Sequence, residues 1–169
     1  MEIKGAALLY TLATLMITFA GFAALLLIVR QSAGATLSAL DRFLARTVVG
    51  HFFWMAAGAL FPPVLSLYDI SESWVWKASA LMFGLPMLAL LLTYPHRRMA
   101  ATGKSVPPVI QAVFVGLGSL SLAAMIGYIF GNLAHPAAAY VSALTINFLT
   151  HAFAFVVALE VILRQEKKA

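Results

Sequence analysis

Long apolar runs, parted by short connections that hold nearly all of the charge, repeat five times along this 169-residue chain. They cover residues 6–29, 47–68, 74–94, 108–131 and 136–163. A helix rises about 1.5 Å per residue, so about 20 residues cross a hydrocarbon core of ~30 Å, and each run reaches that length. The apolar positions are continuous rather than alternating, which excludes the strands of a membrane barrel. The pattern predicts an all-α, polytopic transmembrane bundle of five helices, with residues 1–169 forming one integral-membrane domain.

Punctuation places the helix ends. Pro95 follows the third run, Pro107 and Pro108 open the fourth, and Pro136 opens the fifth, where a first turn tolerates a missing N–H. Gly131-Asn132 reads as a stop for the fourth. Ser38-Ala-Leu-Asp41 has the form of a capping box. Residues 38–46 read as a short amphipathic helix in the membrane interface ahead of the second span. Leu37, Leu40, Phe43 and Leu44 would meet lipid there, and Asp41, Arg42 and Arg46 water and head groups.

Charge then orients the chain. Arg30, Arg42, Arg46, Arg97, Arg98, Lys104, Arg164, Lys167 and Lys168 are nine of the eleven basic residues and share one side if every run crosses. Lys4 and Lys77 fall on the other side, with acidic Asp69 and Glu72. The positive-inside rule places the N-terminus outside and the C-terminus in the cytoplasm, in the cell (inner or plasma) membrane. Tyr10, Tyr68, Trp74, Trp76, Tyr128 and Tyr140 fall towards the outer interface, where amphipathic rings prefer to sit.

Apolar residues make up 63% of the chain and charged residues 10%, too apolar for a soluble fold of this size. The net charge of +5 sits at helix ends, where topology accounts for it, so nucleic acid is not an expected partner. The expected partners are the bilayer and either a second copy or another membrane protein. The chain has no cysteine, which removes thiolate metal sites, disulfides and c-type haem attachment. The net-neutral N-terminal segment and the length of the first run argue against a cleaved signal peptide. No catalytic constellation, metal-ligand spacing or phosphate loop is present, so an enzyme is not expected.

Helices already in lipid associate through close contact and hydrogen bonds. Ser119, Ala123, Gly127 and Gly131 recur every four positions in the fourth run and predict a groove, expected to pack inside the bundle and alternatively to join two copies. Thr11, Thr14 and Thr18 share a face of the first helix, where hydroxyls bond carbonyls a turn back. Pro62, Pro63 and Pro86 release carbonyls near Gly58, Ala59 and Met82 that need other partners.

Polar groups at membrane depth mark where activity would reside. Thr18, Ser119, Asn147 and His151 fall near mid-membrane and form a candidate polar layer for a small-solute or proton transporter. Glu160 precedes Arg164 by four residues, the order of a favourable helical ion pair. His51 and His151 have small neighbours and are expected to look inwards. Bis-histidine ligation of a b-type haem is the cofactor alternative to an expectation of none. Counting from the cytoplasmic ends sets His51 shallower than His151, which weighs against it. The leading expectation is a non-enzymatic structural or interaction component of the membrane.

Overall fold

The computed structural model describes residues 3–32, 34, 36–131 and 135–166, with side chains through residue 157. These residues form five helices: α1 (Ala6–Ser32), α2 (Ala39–Leu65), α3 (Glu72–Thr102), α4 (Pro108–Ile129) and α5 (Pro136–Glu166). All five are long and apolar enough to cross a membrane. Large apolar side chains including Phe22, Ile28, Leu92, Val109 and Phe153 cover the outside. A surface of that kind is stable against lipid and unstable against water, and the five apolar helices are compatible with a multi-pass membrane protein.

Helix α2 is the hub, packing on α1, α3 and α5, while α4 leans on α3 and α5. Helix ends alternate. Tyr128, at the end of α4, donates to the Ser73 carbonyl at the start of α3 (2.9 Å), and Arg30, at the end of α1, lies 3.7 Å from Asp41 at the start of α2. The core of α1 is the stripe Leu9, Leu12, Ala13, Met16, Ala20 and Ala23, one helical face. Phe19 of α1, Phe52 of α2 and Phe148 of α5 form an aromatic cluster with centroids 5.3 to 6.2 Å apart.

Several boundaries differ from the sequence expectation. Helix α2 starts at Ala39, so residues 38–46 are its first turns and not a separate interfacial helix. The capping box forms as expected: Asp41 N–H donates to Ser38 Oγ (3.1 Å) and Ser38 N–H to Asp41 Oδ2 (3.0 Å). Asp41 does not face water; it is buried beside Arg30, because that cation closes α1 against the same turn. Helix α3 runs through Pro95 to the left-handed Gly103. A proline costs one backbone bond, which the other turns of a long helix absorb. Helix α4 stops at Ile129, just before a left-handed Gly131; Asn132 lies outside the described residues.

The aromatic belt is smaller than the sequence suggested. Tyr10, Tyr68 and Trp74 are exposed, but Trp76, Tyr128 and Tyr140 are buried. Their polar tips find partners inside: Trp76 Nε1 donates to Glu72 Oε1 (3.3 Å), Tyr128 to Ser73, and Tyr140 Oη to the Gly58 carbonyl (2.7 Å). The last bond follows from Pro62. A proline lacks the N–H that would have bonded the carbonyl four residues back, which is that of Gly58. Gly58 also has to be glycine: a Cβ there would lie 2.5 Å from Phe83.

The small-residue row of α4 points the other way from expectation. Ser119 and Ala123 are exposed, Gly127 is half-buried, and Gly131 is exposed beyond the helix end. The face that packs is Gly118, Ser121, Leu122, Met125 and Tyr128. It wins because Tyr128 has a carbonyl to bond, Ser121 Oγ reaches the Ala143 carbonyl (3.4 Å), and Gly118 admits Leu91. A Cβ on Gly118 would sit 2.9 Å from Leu91.

Two outcomes follow for folding in detergent. Gly118→Leu should lower stability by about 1–3 kcal/mol through overpacking, whereas Ser119→Leu should leave the thermal midpoint unchanged; equal effects would misplace the packed face. Tyr140→Phe strands the Gly58 carbonyl and should cost about 1–2 kcal/mol, read as a lower unfolding midpoint, and an unshifted midpoint would show the bond to be idle.

Candidate functional site: a histidine pair at mid-bundle

The buried stripe of α5 begins Tyr140, Ala143, Leu144, Asn147, Phe148 and His151, a repeat of threes and fours that sets one face inward. On α2 the matching stripe holds Val48, His51, Phe52, Met55 and Ala59. Both histidines therefore occupy seam positions that an apolar residue would otherwise fill. His51 is 6% exposed and His151 is 7% exposed.

The two rings stack on each other, with centroids 3.8 Å apart and planes 20° from parallel. Phe114 of α4 meets His151 edge-on at 5.3 Å. Each histidine lies near the middle of its own helix. The depth mismatch expected from the sequence is absent because α2 begins at residue 39 rather than 47, adding two turns below His51.

Hydrogen bonding distinguishes the two rings. His151 Nδ1 lies 2.8 Å from the Asn147 carbonyl. A carbonyl only accepts, so the neutral ring carries its proton on Nδ1 and keeps Nε2 as an acceptor. His51 Nε2 is buried without a hydrogen-bond partner. Asn147 Nδ2 donates to the Ala143 carbonyl (2.9 Å) and Thr150 Oγ1 to the Ile146 carbonyl (2.7 Å), so those donors serve their own helix. Towards the start of α5, Tyr140 extends this line of polar side chains to the Gly58 carbonyl.

Of the polar candidates read from the sequence, Asn147 and His151 lie together in this seam. Thr18 and Ser119 do not join them: both are exposed, and Thr18 Oγ1 bonds the Thr14 carbonyl on its own helix (2.8 Å). Thr11 and Thr14 do the same. The side chains of Glu160 and Arg164 lie outside the described residues. No local pattern in the chain marks Phe114 as a neighbour of His151; its contact depends on how α4 rotates against α5.

The pair as placed does not fit a bis-histidine haem. Axial imidazoles lie on opposite faces of the macrocycle and aim in-plane nitrogen lone pairs at the iron between them. Rings stacked at 3.8 Å leave no room for a macrocycle, and their in-plane lone pairs do not converge on a point between the faces. Among the described residues there is no group of three His, Cys, Asp or Glu side chains placed to hold a metal ion. What the arrangement offers is proton chemistry. Two imidazoles in contact supply a donor and acceptors within a buried seam, and a proton added to either ring brings a charge against the face of the other.

His151→Phe keeps a flat ring on Phe114 and His51 without a titratable nitrogen. It should fold with a stability within about 1.5 kcal/mol of wild type, the range of volume-conserving core changes; a larger loss, measured by unfolding in detergent, would assign the pair a structural role.

None of the protein-family models, characterised proteins or solved structures compared with the chain matches it.

Proposed function

We propose that this multi-pass membrane protein handles protons through the His51–His151 contact, passing them across the bilayer or coupling their binding to a small solute. It performs no covalent chemistry on a substrate. The observation that carries the reading is the stack itself: two imidazoles meet at 3.8 Å midway along α2 and α5, one of them with an unpartnered Nε2. Ionisable groups inside a membrane bundle are costly to bury and are retained chiefly where they act. Asn147 and Tyr140 continue the polar line along α5 towards its N-terminal end. Protonation of one imidazole weakens the stack and lets α2 and α5 part, which opens the line to water.

A second reading rests on a separate observation. The exposed Ser119 and Ala123, with half-buried Gly127, leave a small-residue face on α4 turned to lipid. Such a face admits the backbone of another helix, which supports a role as a self-associating or interacting component of the membrane.

The proposal includes the orientation. The N-terminus lies outside and the C-terminus in the cytoplasm, in a plasma or inner membrane. Nine of the eleven basic residues fall on that cytoplasmic side if every run crosses, which supports it.

Proteoliposomes loaded with a pH-sensitive dye should show proton entry down an imposed gradient, reduced at least about tenfold in His51→Phe and His151→Phe, the scale on which removing a proton-transfer group acts. Flux equal to that of empty vesicles would remove the proton reading and leave the second. For orientation, Ser71→Cys in intact cells should react with an impermeant maleimide and Lys104→Cys should not; the opposite labelling would invert the topology.

A further inference from the structure

Arg98 presents a problem that the histidine seam does not answer. It lies in the part of α3 beyond Pro95, is 8% exposed, and its Nε has no hydrogen-bond partner. At the same end of the bundle, Asp41 is engaged with Arg30 and with the Ser38 cap. A buried guanidinium without an anion costs several kcal/mol, and Arg cannot shed its charge.

The surroundings state what would complete it. Tyr94, one turn before Arg98 on the same face of α3, packs its ring between Phe43 of α2 (5.7 Å) and Phe114 of α4 (6.3 Å). Arg98 therefore follows into the corner where α2 and α4 begin. Helix α4 opens there on Pro107 without a side-chain cap, so its first N–H groups and its positive dipole end are free for an anion. Arg42, Arg46, Arg97 and Lys104 are exposed at the same end and add positive potential. Apolar Val109 beside the corner is 76% exposed, as a residue in contact with acyl chains would be.

We propose that Arg98 holds a phosphate group in this corner, presented by the head group of an anionic lipid. The fork of the guanidinium matches two phosphate oxygens, the N-terminus of α4 faces the same group, and the acyl chains run beside α4. Zwitterionic phosphatidylcholine carries the phosphate with a bulky compensating cation and fits less well.

The test uses the full chain in nanodiscs of phosphatidylcholine, with and without phosphatidylglycerol, and separately with inorganic phosphate added to the phosphatidylcholine discs. Phosphatidylglycerol should raise the thermal midpoint by about 5 °C, and native mass spectrometry should find it retained after transfer to detergent. Arg98→Gln should lose both effects while Arg42→Gln keeps them. If Arg98→Gln does not fold, Arg98→Lys, which keeps the charge without the fork, should retain lipid about tenfold more weakly. An equal gain from inorganic phosphate, lost in Arg98→Gln, would uphold the phosphate site with a soluble source. No gain from either, or a gain that survives Arg98→Gln, overturns the proposal. Proton flux through the histidine pair does not enter any of these readouts.

Discussion

Lipid offers no hydrogen bonds, so each backbone carbonyl that a proline releases must be met by protein. In this bundle one such carbonyl, that of Gly58, is met by Tyr140 Oη across the α2–α5 seam. Pro62 frees the carbonyl, Gly58 makes space for Phe83 beside it, and Tyr140 of α5 closes the gap. The contact ties α5 to α2 near its own first turns and so fixes their relative rotation and register. The inward positions along the two helices then follow from helical periodicity, and His51 and His151 fall opposite each other.

The apolar packing around that bond sets the energetic scale of the histidine contact. Phe114 packs edge-on against His151, and Phe52 and Phe148, on the same buried faces of α2 and α5, cluster with Phe19 of α1. A neutral stack behaves as one more pair of flat rings in an aromatic core and costs little beyond the orphaned nitrogen of His51. A charged one does not, because the surrounding rings and methyl groups screen poorly. The same seam is thus quiet in one protonation state and disruptive in the other, which is the property a gate or relay requires.

How much of this was legible in the chain depended on whether the signal was local. The five spans and the capping box at Ser38 and Asp41 depend on runs of neighbours in sequence, and both were readable. The need of the Gly58 carbonyl for a partner was readable as well, from Pro62 alone; that the partner is Tyr140, 82 residues away, was not. Helix rotation was the other blind spot. The row Ser119, Ala123, Gly127, Gly131 resembles a packing face, yet Gly118, one position away, carries the contact, because Tyr128 and Ser121 find their acceptors on that side. The apparent depth mismatch of the histidines came from a helix start placed eight residues late, since charged Asp41, Arg42 and Arg46 broke the apolar run without breaking the helix.

Helices α3 and α5 are each 31 residues long. At about 1.5 Å per residue that is roughly 46 Å, against a hydrocarbon slab of about 30 Å. Both finish at the end of the bundle where α1 stops and α2 begins, while α4, at 22 residues, has length for little more than the slab itself. A rod that long either leans steeply or stands proud of the head groups. Standing proud, the two would form a paired turret bearing the exposed Arg97, offering soluble molecules a handhold on an otherwise submerged protein.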